Sequence, residues 1–364
     1  MRKYYTRACN FQYGAKAKSL IKKKLALSLC GNKNIAFDNI EILSRDEKVK
    51  LVNIKNINKL PNRIKKIVLI DLKKIISKRK NLNKYINISE PLIMGVLNLT
   101  PDSFSDGGLY NQYKKAFRHT HDMIYRGADI IDIGGESTRP GSRNIPHKEE
   151  WKRLEKVLSN FKKKFPKTFL SIDTRKSEVM LKAIKYKSDL INDVSGFDYD
   201  QKAIEKIKNF DIWKVLHHMQ GNPSNMQINP NYKNVLLDIY DFFEKKINVD
   251  FKKFKHKKFI IDPGIGFGKN LKHNLILIRN ISLFHSLGFP LLIGTSRKRF
   301  IKEISGVYDS KERIGGTLAS ILYTLQQGVQ IFRVHNVKEV KQAILVFKKI
   351  IATKWKKNTL VLTE

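Results

Sequence analysis

The sequence predicts an α/β protein, a (β/α)8 TIM barrel with a small N-terminal α/β extension. Eight short apolar runs, each about as long as one strand, recur between residues 92 and 334. Longer segments with apolar residues at helical spacing lie between them. Strands that alternate with helices in this way form parallel sheets, and eight such units over this length close into a barrel.

The predicted elements follow one another along residues 91–355, which we expect to form the barrel. The predicted strands are Leu92 to Leu97, Ile130 to Ile133, Phe169 to Ile172, Leu190 to Ile191, Ile212 to Leu216, Phe259 to Ile261, Leu291 to Ile293 and Ile331 to Val334. The predicted helices carry Lys or Glu opposite an apolar stripe and include Glu149 to Phe165, Ser177 to Lys187, Val235 to Phe251 and Glu339 to Ile351.

Residues 1–90 differ from the barrel in composition, and we predict that they form the extension, whose role the sequence leaves open. Two apolar runs, Ala36 to Ile42 and Ile67 to Leu72, are separated by Pro61 and surrounded by Lys and Asn. No cluster of residues in this part suggests chemistry, so we expect it to pack against the barrel or to take part in assembly. Glu41 and Arg45 are expected to be surface charges.

The charge balance raises the question of a nucleic-acid partner. The 364 residues carry a formal charge of +38, and basic surfaces bind phosphate polymers by counterion release. However, Lys is spread along every segment, and the densest basic run, Lys73 to Lys80, lies outside the polar motifs. With 41% hydrophobic residues the chain can bury a sizeable core. We therefore expect no nucleic-acid partner, and the role of the basic run is left open. Small-molecule substrates are expected from the motifs described below.

The cysteines and the apolar runs bear on location. Cys9 and Cys30 are the only cysteines, so the sequence predicts no disulfide framework, which fits a reducing cytoplasm. The longest apolar runs are strand-sized, and Leu20 to Cys30 is interrupted by lysines, so we expect neither a membrane span nor a signal peptide. A basic organellar transit segment stays open as an alternative.

Polar residues follow the predicted strands, and the carboxyl ends of barrel strands open on one face, where α/β barrels place their chemistry. Residues 94–108, MGVLNLTPDSFSDGG, run from an apolar strand into a loop that contains Asn98 and Asp102. We expect these groups to converge on one pocket. Further polar groups at predicted strand ends are Asp132, Asp173, Asn192, Asp193, His217, His218, Asp262, residues 295–297 and residues 333–335.

A second motif, GADIIDIGGESTRPG at residues 127–141, ends a predicted strand in a glycine pair. Glycine lets the backbone approach a ligand closely, and Arg139 could direct two donors at a phosphate. Equally, the motif could be a glycine turn in which Glu136 and Arg139 form a salt bridge. The motif alone does not decide between these interpretations.

A third motif, IDPGIGFGKN at residues 261–270, lacks the Lys followed by Ser or Thr that a phosphate-binding P-loop requires. Instead, Asp262 at a strand tip could accept two parallel hydrogen bonds from the amide and amino edge of a heterocycle. Asp173 and Asn192 occupy equivalent tips. Two carboxylates and an amide around one slot suit a pterin, which presents several donors along one edge.

Together with TSRKRF at residues 295–300 and FRVHNV at residues 332–337, these motifs resemble dihydropteroate synthase over residues 92–351. The resemblance implies a transferase of folate biosynthesis, which joins 6-hydroxymethyl-7,8-dihydropterin diphosphate to 4-aminobenzoate and releases diphosphate. A corrinoid-dependent methyltransferase would share Asp173, Asn192 and Asp262 but would not need TPDSFSDGG, STRPG or residues 296–298. A basic nucleic-acid-binding protein with an inactive barrel is the other alternative.

The resemblance also implies residue roles, and it implies a homodimer formed through outer helices of the barrel. Asn98 would ligate Mg2+ together with the diphosphate, and Ser296 would meet the aminobenzoate carboxylate. Asp102 lies in a loop that could close over the site. The residues that would hold the pterin are Asp173, Asn192, Asp262 and Lys298, and those that would surround the diphosphate are Thr138, Arg139, Arg333 and His335.

The histidines receive two different interpretations. The family usually carries Met where His217 stands, so His217 either alters the apolar wall of the pterin pocket or makes a polar contact there. The other histidines are expected to be solvated or on helix surfaces: His119, His121, His147, His256, His273 and His285.

Overall fold

The computed structural model describes residues 2–100, 109–137 and 141–353. Within these ranges an antiparallel sheet is formed by the N-terminal part of the chain and a parallel sheet by the rest. The N-terminal elements are β1 (Tyr5–Tyr13), α1 (Gly14–Lys22), β2 (Leu27–Leu29), β3 (Asn32–Leu43), β4 (Lys50–Asn53) and α2 (Asn62–Ile76).

The parallel sheet confirms the predicted barrel. Its strands are β5 (Leu92–Asn98), β6 (Ile130–Gly134), β7 (Phe169–Asp173), β8 (Leu190–Asp193), β9 (Trp213–His217), β10 (Phe259–Asp262), β11 (Leu292–Ile293) and β12 (Ile331–Val334). Consecutive strands pair from β5 to β10, and β12 pairs with both β5 and β11. A parallel bridge between Ile261 and Leu291 joins the two ends and closes the ring.

Helices follow the barrel strands and pack around them. They are α3 (Leu109–Tyr125), α4 (His147–Lys164), α5 (Ser177–Lys185), α6 (Ala203–Ile207), α7 (Val235–Asn248), α8 (Leu271–Arg279), α9 (Arg299–Ser305), α10 (Ile314–Gln326) and α11 (Val337–Ala352). In α4, acidic residues occupy the first turn and three lysines the last, which suits the helix dipole. None of the helices in the described ranges is long and apolar enough to cross a membrane.

Apolar side chains fill the amino end of the barrel, which leaves the opposite end for polar groups. The segment before β5 contributes Leu82, Ile86 and Ile88 to a cluster with inward-facing residues such as Phe169 and Trp213. The indole Nε1 of Trp213 donates a hydrogen bond to the Leu82 carbonyl at 2.9 Å. This segment therefore covers the amino end of the barrel.

Arg45, which lies just after β3, forms ion pairs with two carboxylates of α7. The expectation that Arg45 is a surface charge is therefore wrong. Arg45 Nη1 lies 2.6 Å from Asp238 and Nη2 lies 2.7 Å from Asp241, and all three side chains are less than 30% exposed. Glu41 pairs with Arg7 on the neighbouring strand at 2.6 Å. The carboxylates that pair with Arg45 lie almost 200 positions away, so the sequence around it gave no sign of them.

The expectation that His285 is solvated is also wrong, whereas His119, His121 and His147 are exposed as predicted. His285 is fully buried under the N-terminal sheet, with Nε2 2.8 Å from the Gln327 carbonyl. Arg79, from the basic run, donates to the His285 carbonyl at 2.9 Å. This arginine of the run is therefore structural.

We predict that Arg45→Ala lowers the free energy of unfolding by about 1–3 kcal/mol, because two charge-assisted hydrogen bonds between the N-terminal sheet and α7 are lost. Urea unfolding measures the change. Arg63→Ala, at an exposed position of α2, is the matched control and should change stability by less than about 0.5 kcal/mol. Equal stability of the two variants would contradict the prediction.

Candidate active site

The carboxyl ends of the barrel strands surround one cavity of about 830 Å3. Strand register brings Asn98, Asp173 and Asn192 to the same level, and Asp262 pairs with His217 on the neighbouring strand. Every predicted site residue that the structure describes lines this cavity: Asn98, Asp173, Asn192, Asp262, Ser296, Lys298, Arg333 and His335. The predicted residues Asp102, Thr138 and Arg139 lie outside the described residues.

Arg333 is held at the cavity wall by two carboxylates. Its Nε lies 2.7 Å from Asp132 Oδ2, and its Nη2 lies 2.7 Å from Asp173 Oδ2. Asp132 is fully buried and also accepts hydrogen bonds from Asn192 at 3.1 Å and from Ser171 at 2.5 Å. Asp132 was noted as a polar group near a strand end, but it received no role. The sequence did contain a signal for such a role, because Asp132 is the only charged residue in the apolar strand Ile130–Gly134.

The two carboxylates that were assigned to the pterin are buried. Burial raises the pKa of Asp173 to about 7, although the charge of Arg333 acts against this. Burial raises the pKa of Asp262 to about 6, opposed by the backbone N–H of Gly264, which donates to Asp262 Oδ1 at 2.8 Å. Asp173 Oδ1 is buried without a hydrogen-bond partner among the described residues. Such acceptors favour a ligand that carries N–H donors.

Lys298 lines the same cavity as these two carboxylates. Its Nζ lies 4.0 Å from the centre of the Phe267 ring, a cation–π distance. Gly266 has φ +82°, and a Cβ there would lie 3.0 Å from Lys298 Cδ, so glycine makes room for this side chain. Burial, followed by the charge of Arg333, lowers the pKa of Lys298 to about 8. Lys298 therefore remains mostly protonated at neutral pH.

The segment that carries Ser296 and Lys298 adopts an unusual backbone conformation. Arg297 has φ +61°, which is costly for a residue with a side chain. Its N–H donates to Thr317 Oγ1 at 3.1 Å, its guanidinium donates to Asn336 Oδ1, and Arg313 donates to its carbonyl at 3.0 Å. These contacts fix the direction of Ser296 and Lys298. Sequence reasoning missed Thr317 and Arg313, which lie outside the quoted motifs.

Ser296 and His335 form a pair at the rim of the cavity. The backbone N–H of His335 donates to Ser296 Oγ at 3.3 Å, and the same oxygen lies 3.1 Å from His335 Nδ1. The two residues come from different motifs of the sequence. Their contact brings the predicted aminobenzoate residue and one of the predicted diphosphate residues together.

Glu136 is buried in a charge network that sequence reasoning also missed. It lies 2.9 Å from both Arg175 and Lys176, and Lys176 lies 2.7 Å from Glu150. Burial acts to raise the pKa of Glu136, but the hydrogen bond from Lys176 and the charge of Arg175 hold it below its usual value. Glu136 Oε1 also accepts the Ile145 N–H at 3.1 Å. The network therefore connects Glu136 to Ile145, to α4 and to the loop between β7 and α5.

The described residues contain no group of three or more His, Cys, Asp or Glu that could hold a metal ion. Asn98 offers one amide oxygen at the cavity wall, 3.7 Å from the position that a Cβ on Gly134 would take. Mg2+ is commonly bound by one or two protein oxygens plus substrate phosphates. Among the described residues, Asn98 would therefore hold Mg2+ together with phosphate oxygens of a ligand.

We predict that Asp262→Asn raises the free energy of unfolding at pH 7.5 by about 1–3 kcal/mol. Because the folded pKa of about 6 lies above the ordinary 3.8, the folded protein binds more protons in this window, and stability falls as pH rises from about 4 to 6. The asparagine keeps an acceptor for the Gly264 N–H and removes the buried charge. Thermal unfolding at pH 4 and pH 7.5 measures the difference.

The control for this experiment is Asp46→Asn, since Asp46 is exposed. This control should leave stability unchanged at both pH values. A lower stability of Asp262→Asn at pH 7.5 would contradict the prediction.

Comparison with known proteins identifies the family. The family model described as "Pterin binding enzyme" matches residues 94–335. Dihydropteroate synthase of Escherichia coli strain K12 is 39% identical over 274 residues, which cover 75% of this chain and 96% of the relative.

Two solved structures agree with this match. Xanthomonas albilineans dihydropteroate synthase with 4-aminobenzoic acid superposes with a TM-score of 0.68 at 35% identity, covering 73% of this chain and 95% of that one. The same enzyme in complex with 7,8-dihydropteroate gives a TM-score of 0.65 at 31% identity, with coverages of 74% and 97%. This chain therefore belongs to the pterin-binding enzymes and, within them, to the dihydropteroate synthase family.

Proposed function

We propose that this chain is a transferase that condenses 6-hydroxymethyl-7,8-dihydropterin diphosphate with 4-aminobenzoate to give 7,8-dihydropteroate and diphosphate in folate biosynthesis. The observation that carries this proposal is one cavity in which two buried carboxylates, a lysine and an arginine meet from four different strands or loops: Asp173, Asp262, Lys298 and Arg333. Its volume of about 830 Å3 lies within the range of small-molecule sites. The relatives solved with 4-aminobenzoic acid and with 7,8-dihydropteroate support the same substrates.

The pterin would bind to the acceptor groups of the wall. Asp173 and Asp262 carry carboxylate oxygens, and Asn192 lies between their strands, fixed by its hydrogen bond to Asp132 at 3.1 Å. An ionised carboxylate can accept two hydrogen bonds from neighbouring N–H groups of a ring. Lys298 contributes a donor on the same side of the cavity.

The leaving diphosphate would be received by positive groups. Departure of diphosphate from a carbon attached to the electron-rich pterin leaves a delocalised cation, so stabilising the anion is the main task of the protein. Among the described residues, those proposed to receive the diphosphate are Arg333, His335 and Asn98, and all three line the cavity. Thr138 and Arg139 would complete it. Bound Mg2+, held by Asn98 and phosphate oxygens, would supply additional positive charge to the leaving group.

The amine of 4-aminobenzoate would attack the pterin carbon directly, so the protein does not need a covalent nucleophile. Ser296, held by His335 at 3.1 Å, would bind the aminobenzoate carboxylate with the start of α9. Asp102 would belong to a loop that excludes water, which otherwise intercepts the cation. The position of Ser296 and Lys298 in the same cavity as Asp173 supports the synthase over the corrinoid methyltransferase.

We also propose a cytoplasmic location, the absence of a nucleic-acid partner, and a homodimer formed through outer helices of the barrel.

The surface of α10 and α11 supports the proposed dimer interface. Large apolar side chains are exposed there: Tyr323 on α10 and Leu345, Val346 and Ile350 on α11. Sedimentation equilibrium should give twice the monomer mass of 42.3 kDa. A monomer at micromolar concentration would reject the dimer.

We predict that the purified chain forms dihydropteroate from the pterin diphosphate, labelled 4-aminobenzoate and Mg2+, and that Lys298→Ala lowers kcat/KM by about 100-fold or more. Lys302→Ala is the matched control. Lys302 lies four residues along and also places its Nζ 4.0 Å from an aromatic ring, that of Tyr308, but it does not line the cavity. It should retain activity. No product from folded wild-type protein would overturn the proposed function.

We also predict that EDTA abolishes turnover and that added Mg2+ restores it, because the described part of the chain contains no cluster of metal ligands that would retain the ion without the diphosphate. Asn98→Ala should raise the Mg2+ concentration needed for half-maximal rate, measured by titration. Full activity in EDTA would remove Mg2+ from the proposal.

A further inference from the structure

His217 occupies a place in the cavity wall where its imidazole can contact a bound ring. It is the last residue of β9 and pairs in register with Asp262 of β10, so the two side chains stand side by side at neighbouring strand tips. His217 is 3% exposed and lines the same cavity as Asp173 and Asn192.

The hydrogen bond of one ring nitrogen determines what the other nitrogen offers. His217 Nδ1 lies 2.8 Å from the backbone carbonyl oxygen of Val194. A carbonyl oxygen only accepts hydrogen bonds, so Nδ1 carries the proton and Nε2 of the neutral ring carries a lone pair. Among the described residues Nε2 has no hydrogen-bond partner. The acceptor is therefore available to a ligand.

The charges around His217 keep the ring neutral. Burial is the main cause, and the positive charges of Lys269, Lys298 and Arg333 add to it, so the pKa lies well below the ordinary value. Asp262 stands on the neighbouring strand and is the nearest carboxylate in register. The imidazole remains an acceptor at Nε2 throughout the neutral pH range.

The ring is also held in place by its neighbours. Phe267 meets it edge to face, with ring centres 4.6 Å apart and an interplanar angle of 87°. On another side Gly264, with φ +70°, approaches so closely that a Cβ would lie 2.9 Å from His217 Cε1. Because the imidazole cannot turn freely, its lone pair points away from Val194 in a fixed direction.

We infer that His217 is a substrate-binding residue that determines specificity, with Nε2 accepting a hydrogen bond from an N–H group of the pterin ring. This inference rests on the proposed function. With Asp173 and Asp262, the imidazole makes this wall rich in acceptors, so the site selects a heterocycle that presents several N–H donors and disfavours one that presents lone pairs. A ring whose N–H is replaced by a ring nitrogen would face the lone pair of His217 directly.

The first test compares His217→Gln with His217→Leu. Glutamine retains an oxygen acceptor, and leucine does not. Calorimetric titration with 6-hydroxymethyl-7,8-dihydropterin diphosphate should give about tenfold weaker binding for His217→Leu, with a substantial part of the loss recovered by His217→Gln. The KM for 4-aminobenzoate should change less than twofold in both variants. Binding by His217→Leu as tight as that of wild type, or equal losses in both variants, would overturn the inference.

The second test uses the wild-type protein and does not depend on how the variants fold. In protein labelled with 15N-histidine, the His217 Nε2 resonance should be that of a nitrogen without a proton, and it should move in the direction of a hydrogen-bonded nitrogen when the pterin diphosphate is added. A proton on Nε2, or no movement at saturation, overturns the inference and leaves the proposed function standing. Absence of any pterin binding by the wild type would overturn both.

Discussion

The contact of Arg333 with Asp132 and Asp173 is the constraint on which the site depends. Three strands that are far apart in the sequence, β12, β6 and β7, each contribute one charged group, at distances of 2.7 Å. Removing one partner from a buried ion pair leaves an uncompensated charge that costs about 3–5 kcal/mol. The arginine therefore neutralises one carboxylate from each of β6 and β7 and places a positive charge at the cavity wall.

The remaining groups of the site follow from this arrangement. Asn192 is fixed by Asp132, and Asp173 keeps one oxygen buried without a partner among the described residues. Burial raises the pKa of Asp173 and Asp262 and lowers that of Lys298, so the charged forms of these groups are less favourable in the cavity than in water. A ligand that combines N–H donors with an anionic tail satisfies both sets of groups at once. Arg297 and Glu136 also line this cavity, and each is held by hydrogen bonds or ion pairs to neighbouring elements.

The sequence was sufficient for the barrel and for part of the cavity lining. The eight apolar runs became β5 to β12 with boundaries shifted by at most two residues, because period and length identify buried parallel strands well. The site residues were found because polar motifs follow the predicted strands and because those motifs resemble a known family, which implied their roles. Asp132 was noted at a predicted strand end but received no role, because its contacts with Arg333, Asn192 and Ser171 join distant parts of the sequence. The partners of Arg45 and His285 were missed because they are defined only by tertiary packing.

The N-terminal part shows the limit of sequence reasoning most clearly. Two apolar runs were recognised, whereas the structure contains four strands and two helices there. Its strands are partly exposed, so their alternation is weak, and β2 has only three residues. The charges that fasten it to the barrel look like ordinary surface charges in the sequence. The boundary at about residue 90 stays a prediction.

A crystal structure of this chain with the pterin diphosphate and 4-aminobenzoate tests most directly whether one cavity holds both substrates. The pterin ring should lie against Asp173, Asn192 and Asp262, with its diphosphate directed to Asn98 and Arg333 and the aminobenzoate carboxylate at Ser296. A pterin bound elsewhere, or a diphosphate directed away from Arg333, would contradict the arrangement derived from the geometry.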